Sequence, residues 1–230
     1  MRSVFVFVVV CVVLASGLSA QSEGDSQANV REIESRYITE SNDWRLAYIE
    51  FVFRGDTAKY QEAEAAMRQF TSVTSSYMVY RRPGERLALN LYYRNLENIN
   101  KLNSLRQNVE AMQRDYPEYT KDFFAKYEMT VDEFENFEKF EPIYERVMNR
   151  WRLEFEEAMQ KKDVAALTAL REDMRLLQQG ILVFVLLPGR SANKVPQLQS
   201  MENDIRHSIV MLRMYEQTTQ AELDAEQNPG

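Results

Sequence analysis

From residue 30 onward, apolar positions recur at spacings of three and four along almost the whole chain, the period of an α-helix that buries one face. Val30, Ile33, Tyr37, Trp44, Tyr48 and Phe51 form the first stripe, with Ser41 as its polar member, and Gly55 is placed to end that helix in a left-handed turn. Asp56 then caps a second segment striped by Tyr60, Ala63, Met67, Phe70, Thr74 and Tyr77, which stops at Pro83-Gly84. Residues 71–80 are rich in Thr, Ser, Val and Tyr, yet their apolar spacing continues the preceding register, so the stretch reads as helix. A third segment from Glu85 carries Leu89, Tyr92, Leu96, Ile99, Leu102, Leu105, Val109 and Met112. Pro117 opens a short fourth helix over residues 118–128, because a first-turn proline forfeits no intrahelical bond.

Thr130-Val-Asp-Glu133 has the spacing of a capping box and starts a fifth segment striped by Phe134, Phe137, Tyr144, Met148, Trp151 and Phe155. Pro142, about three turns in, is expected to kink or split it. Asp163 caps a sixth segment that runs through Leu167, Leu170, Met174, Leu177, Ile181 and Phe184 to Pro188-Gly189. The seventh follows Pro196 and is striped by Leu198, Met201, Ile205, Ile209, Leu212, Tyr215 and Leu223. Short connectors place consecutive helices antiparallel. The pattern predicts an all-α chain, an elongated bundle of about six or seven mostly antiparallel helices. The alternative is an α-solenoid, whose repeat of ~34 or ~40 residues is not visible in the chain.

The first twenty residues break this pattern. After Met1-Arg2-Ser3, an unbroken apolar run extends from Val4 to Ala15, short of the ~20 residues a membrane-crossing helix needs, and small residues lead up to polar Gln21. This reads as a secretory leader cut after Ala20; a cut after Gly17 and an uncleaved anchor are the alternatives. Residues 21–28 then form a polar linker, 29–223 the helical domain and 224–230 a loose polar tail. Cys11 is the single cysteine and falls inside the leader, so the mature chain lacks thiols and disulfides. No Asn-x-Ser/Thr site occurs either, which fits a bacterial envelope location, periplasmic or released, better than eukaryotic secretion.

Charge narrows the partners. Once Arg2 leaves with the leader, 27 Lys+Arg stand against 35 Asp+Glu, a net charge of −8, the wrong sign for binding phosphate backbones, so no nucleic-acid partner is expected. Ten acidic residues and three lysines crowd into residues 115–145, together with nine aromatics. On base rates such a stretch is two amphipathic helices with an aromatic core face and a solvated acidic face. Its functional reading is a docking surface for a basic protein, carried by Phe123, Phe124, Phe134, Glu135, Phe137, Glu138, Phe140 and Tyr144. Residues 181–187 are apolar on every face and belong to the bundle centre, or else Ile181, Val183 and Val185 serve an oligomer contact or a lipid-facing groove. Gly180, just before them, either lets helices approach closely or breaks the helix.

Candidates for chemistry are sparse. Asp204-x-x-His207 resembles half of a carboxylate-bridged metal site, but such sites need two histidines and the chain has one. Ser208 beside His207 points about 100° away from it on a helix. The acidic stretch has no glycine and lacks the spacing of a calcium loop, so no metal or cofactor is expected. Taken together, the residues predict an exported, non-catalytic helical module that binds protein or acts as a scaffold, self-association included. The competing expectations are a periplasmic holdase with exposed Phe and Met faces, a carboxylate-dependent hydrolase, and a bundle enclosing a small apolar ligand.

Overall fold

A computed structural model describes residues 31–32, 35–77, 85–186 and 194–227. Among these residues every regular element is a helix: α1 (residues 35–54), α2 (Thr57–Tyr77), α3 (Glu85–Asp115), α4 (Pro117–Thr120), α5 (Phe123–Lys126), α6 (Val131–Glu135), α7 (Phe137–Lys161), α8 (Val164–Leu186) and α9 (Val195–Gln227). The protein is all-α, as the periodicity predicts. The leader, the linker and the expected stops at Pro83-Gly84 and Pro188-Gly189 lie outside the described residues.

Local chemistry explains several helix ends. Gly55 takes the left-handed conformation at φ 74°, and its amide donates to the Phe51 carbonyl at 2.9 Å, closing α1. The Asp56 and Asp163 carboxylates accept the Lys59 and Ala166 amides at 3.1 and 2.9 Å at the starts of α2 and α8. Thr130 and Glu133 form the reciprocal box that opens α6.

Three expectations need correction. The fourth segment is two single turns, α4 and α5, separated at Asp122, which adopts the left-handed conformation at φ 57°. Phe123 and Phe124 point about 100° apart on a helix, and the turn at Asp122 swings both into the interior. The break expected at Pro142 falls at Asn136. There the extended backbone and the side chain, which accepts the Glu138 and Lys139 amides, supply an alternative to helical hydrogen bonds. Helix α7 runs through Pro142 without interruption; Glu138 and Pro142 are both exposed, so the missing bond lies on the solvated face. The tail, finally, is helical as far as Gln227, and Lys162 pairs with Glu222 and Glu226 at 3.4 and 2.6 Å.

One core runs through all of this, and α1 lies at its centre. Trp44, Arg45, Ala47, Tyr48, Ile49, Phe51, Val52 and Phe53 are all buried, so α1 is covered on nearly every face and not along one stripe. Tyr37 meets Phe70 of α2, Phe51 stacks on Tyr60 at 5.1 Å, and the Gln113 side chain of α3 donates to the Phe51 carbonyl at 2.8 Å. Phe53 stacks on Phe123 at 4.2 Å and meets Phe124 and Phe134 edge-on at 5.0 and 5.2 Å. Gly180 of α8 faces that cluster. A Cβ there would sit 2.6 Å from the Phe134 ring and 2.8 Å from the Phe53 ring, so glycine serves close approach, and α8 continues through it.

Candidate functional site

The aromatic residues singled out in the acidic stretch face this chain's own interior. Phe123, Phe124, Phe134, Phe137, Phe140 and Tyr144 are buried, as are Ile181 and Val183, while Val185 is partly buried against the same core. Phe134 explains why: its ring meets Phe53, Phe124, Phe140 and Phe184, so the wide aromatic face wraps α1 and α8 instead of facing solvent. The two acids part company. Glu138 is exposed. Glu135 is buried and forms an ion pair with Arg45, the charged residue at the heart of α1, whose guanidinium also lies 5.6 Å from the Phe184 ring centre. These aromatics therefore form no exposed dock of their own, although Tyr144 also lines the groove between α7 and α9.

An open surface of a different kind lies on the C-terminal half. Helices α7 and α9 are tied together at two points. The Tyr144 hydroxyl donates to the Met201 carbonyl at 3.3 Å, and the Phe155 and Tyr215 rings meet edge-on at 5.3 Å. Both helices thus run in the same direction, with α8 returning antiparallel between and beneath them; Thr168 bonds Glu216 at 2.9 Å and Gln178 bonds Glu202 at 2.6 Å. Between the two ties is a groove of about 750 Å³. At 1.5 Å per residue it is roughly 16 Å long on the α7 side and roughly 21 Å on the α9 side.

The groove has a greasy floor and a polar rim. Met148, Trp151 and Phe155 come from α7, Leu170 and Met174 from α8, and Met211, Leu212 and Tyr215 from α9; Phe155, Met211 and Tyr215 are partly exposed and the other five are buried at its base. Glu145, Asn149 and Arg152 of α7 face Asp204, His207 and Ser208 of α9 across the opening. Leu153, Val210 and Met214, at 67%, 52% and 57% exposure, follow lining residues by three or four positions, so apolar side chains stand on both lips. The periodicity marks Met148, Trp151, Phe155 and Tyr215 only as stripe members. The exposed Val210 and Met214, adjacent in register on α9, are the sequence signal that a second apolar face exists there.

Beneath the floor runs a buried hydrogen-bond chain. The Trp151 indole donates to the Tyr127 hydroxyl at 2.5 Å, the Tyr127 hydroxyl donates to the Asp173 carboxylate at 2.9 Å, and Lys126 pairs with the same oxygen. Burial, with the Asp173 charge adding to it, holds the Tyr127 hydroxyl far above its ordinary pKa. Burial also raises the Asp173 carboxyl, against the opposing pull of Lys126 and Tyr127. The chain anchors Trp151 in one orientation under the groove.

Asp204, His207 and Ser208 lie together on the rim. The Ser208 hydroxyl donates to the Asp204 backbone carbonyl at 3.0 Å, which turns it toward its own helix. Among the described residues no three His, Cys, Asp or Glu side chains converge as metal ligands would. Nor is any helix of the described residues long and apolar enough to cross a membrane. No protein-family model, no curated protein and no solved structure matches the chain.

Proposed function

We propose that this chain is an exported, non-catalytic helical module of the bacterial envelope that binds a protein through the groove between α7 and α9. The observation that carries the reading is the groove itself: apolar along its floor, polar along its rim, and flanked by the exposed Leu153, Val210 and Met214. Protein–protein contacts are built this way, from a desolvated aromatic and methionine centre inside a polar ring. Met211, partly exposed in the groove, and Met214 beside it supply unbranched side chains that adapt to a partner's surface. The apolar leader pattern and the cysteine-free remainder support export. A holdase reading draws less support, since the Phe faces it relies on are buried.

The test is in-cell photo-crosslinking from Asn149 and Ser208 on the rim, with exposed Ser104 of α3 as the remote control. A recurrent protein adduct is expected from both rim positions and not from Ser104, and Met211→Glu is expected to abolish it with melting unchanged. A native mass spectrum showing a small apolar molecule in the groove, or rim positions that crosslink no better than Ser104, overturns the proposal.

A further inference from the structure

We infer that the occupant of the groove is a single amphipathic helix of the partner, held in one polarity with basic side chains at the Tyr144–Met201 end and an acidic side chain near Arg152. The inference rests on the groove being the binding site, and adds what the occupant must be.

Shape comes first. Helices α7 and α9 run parallel, and α8 lies antiparallel beneath both. The side above α8, which among the described residues only α7, α8 and α9 line, corresponds to the fourth corner of an up-and-down four-helix arrangement. A helix lying there packs antiparallel against both walls at once, at the shallow crossing angle that such arrangements favour. Three or four turns fill the distance between the two ties, enough for apolar anchors at i, i+3 or i+4, and i+7. An extended strand would leave backbone N–H and C=O groups facing an apolar floor with no sheet edge to pair them.

Charge then fixes direction. Glu145 of α7 and Asp204 of α9 line the groove at the Tyr144–Met201 end, and Arg152, whose guanidinium donates to the Asn149 side chain at 3.1 Å about one turn further along α7, is the cation in the lining. An occupant antiparallel to α7 and α9 points its C-terminal end at Glu145 and Asp204 and its N-terminal end past Arg152. Helices carry basic residues in the last turn and acidic ones in the first because of their own dipole. The rim thus matches the charge pattern of an ordinary amphipathic helix in that direction, and the net charge of −8 after the leader steers basic partners toward it.

The probe is a synthetic helix of about sixteen residues with leucines on one stripe, glutamates in the first turn, lysines in the last and a benzophenone in the last turn. Fluorescence anisotropy and crosslink mapping are carried out on the full chain. The crosslink is expected near Glu145 and Asp204. Changing Glu145→Lys and Asp204→Lys together should weaken the peptide about tenfold and strengthen a peptide with glutamates in its last turn by a similar factor. Crosslinks spread evenly over both ends, or affinities indifferent to the double change, overturn the polarity while leaving the groove as the binding site. A peptide that fails to bind, or crosslinks outside the groove, overturns both readings. Sedimentation showing a stable dimer of the free chain that excludes the peptide assigns the groove to a second copy and overturns the inference.

Discussion

Gly180 is the residue at which helix propensity and packing point in opposite directions. Alanine there gains about 1 kcal/mol of propensity but drives its Cβ to 2.6 Å from the Phe134 ring and 2.8 Å from the Phe53 ring. Neither ring has room to yield, since both are fully buried among other aromatics. Gly180→Ala is expected to lose about 1–2 kcal/mol net, read as a lower urea midpoint with unchanged slope. Asp173 makes a pH prediction. Its carboxyl is raised above the ordinary 3.8 by burial, so the folded chain holds that proton more tightly than the unfolded one. The contribution of Asp173 to stability is therefore fullest below the ordinary value and fades as pH rises through the elevated one. Asp173→Asn keeps an acceptor for Tyr127 and removes the titration. The variant should gain on the parent in urea midpoint as pH rises above the ordinary carboxylate value, and parallel midpoint curves would count against the assignment. The Arg45–Glu135 pair shows why composition misleads at this scale: Glu135, counted from sequence among the acids of a docking surface, is a buried counter-ion. Arg45→Met alone should cost about 3–5 kcal/mol by taking the cation away from a buried carboxylate, and adding Glu135→Leu should recover most of it. A double variant as unstable as the single one would refute that account.

At the level of elements, local caps placed several described helix ends where the sequence puts them, and Pro117 opens α4 as expected, whereas Pro142 does not break its helix. Gly55, Asp56, Thr130 with Glu133, and Asp163 act where the sequence puts them, because each satisfies amides or adopts a backbone angle within its own few residues. Pro142 interrupts nothing, while Asn136, not distinctive in sequence, ends α6 and starts α7. Asn136→Ala removes the acceptor for two amides and should cost about 1 kcal/mol, whereas Pro142→Ala should not destabilise; thermal melts of the two variants separate them. A larger loss at Pro142 than at Asn136 would reverse the assignment. The fourth segment splits for a reason no local rule carries. Phe123 and Phe124 both find places beside Phe53, more than sixty residues away in the chain.

Over the whole molecule, the groove between α7 and α9 is the feature that periodicity did not announce. Met148, Trp151 and Phe155 have the same spacing as the residues of a closed core, and Met148 and Trp151 are in fact buried; what leaves a groove beside them is that α7 and α9 run parallel over α8, and among the described residues only these three helices line it. The acidic stretch went the other way: its aromatics read equally as dock or core, and the arrival of α1 decided for core. Sequence alone determined the all-α class, the capped helix ends and the alternation of apolar and polar faces, because these follow from hydrogen bonding and period within a few residues. Only the tertiary structure decided which apolar face was covered and which stayed open, that α1 is buried on nearly every face, and that Glu135 answers Arg45. Those outcomes depend on which distant segments meet, and spacing along a single helix holds no information about its neighbours.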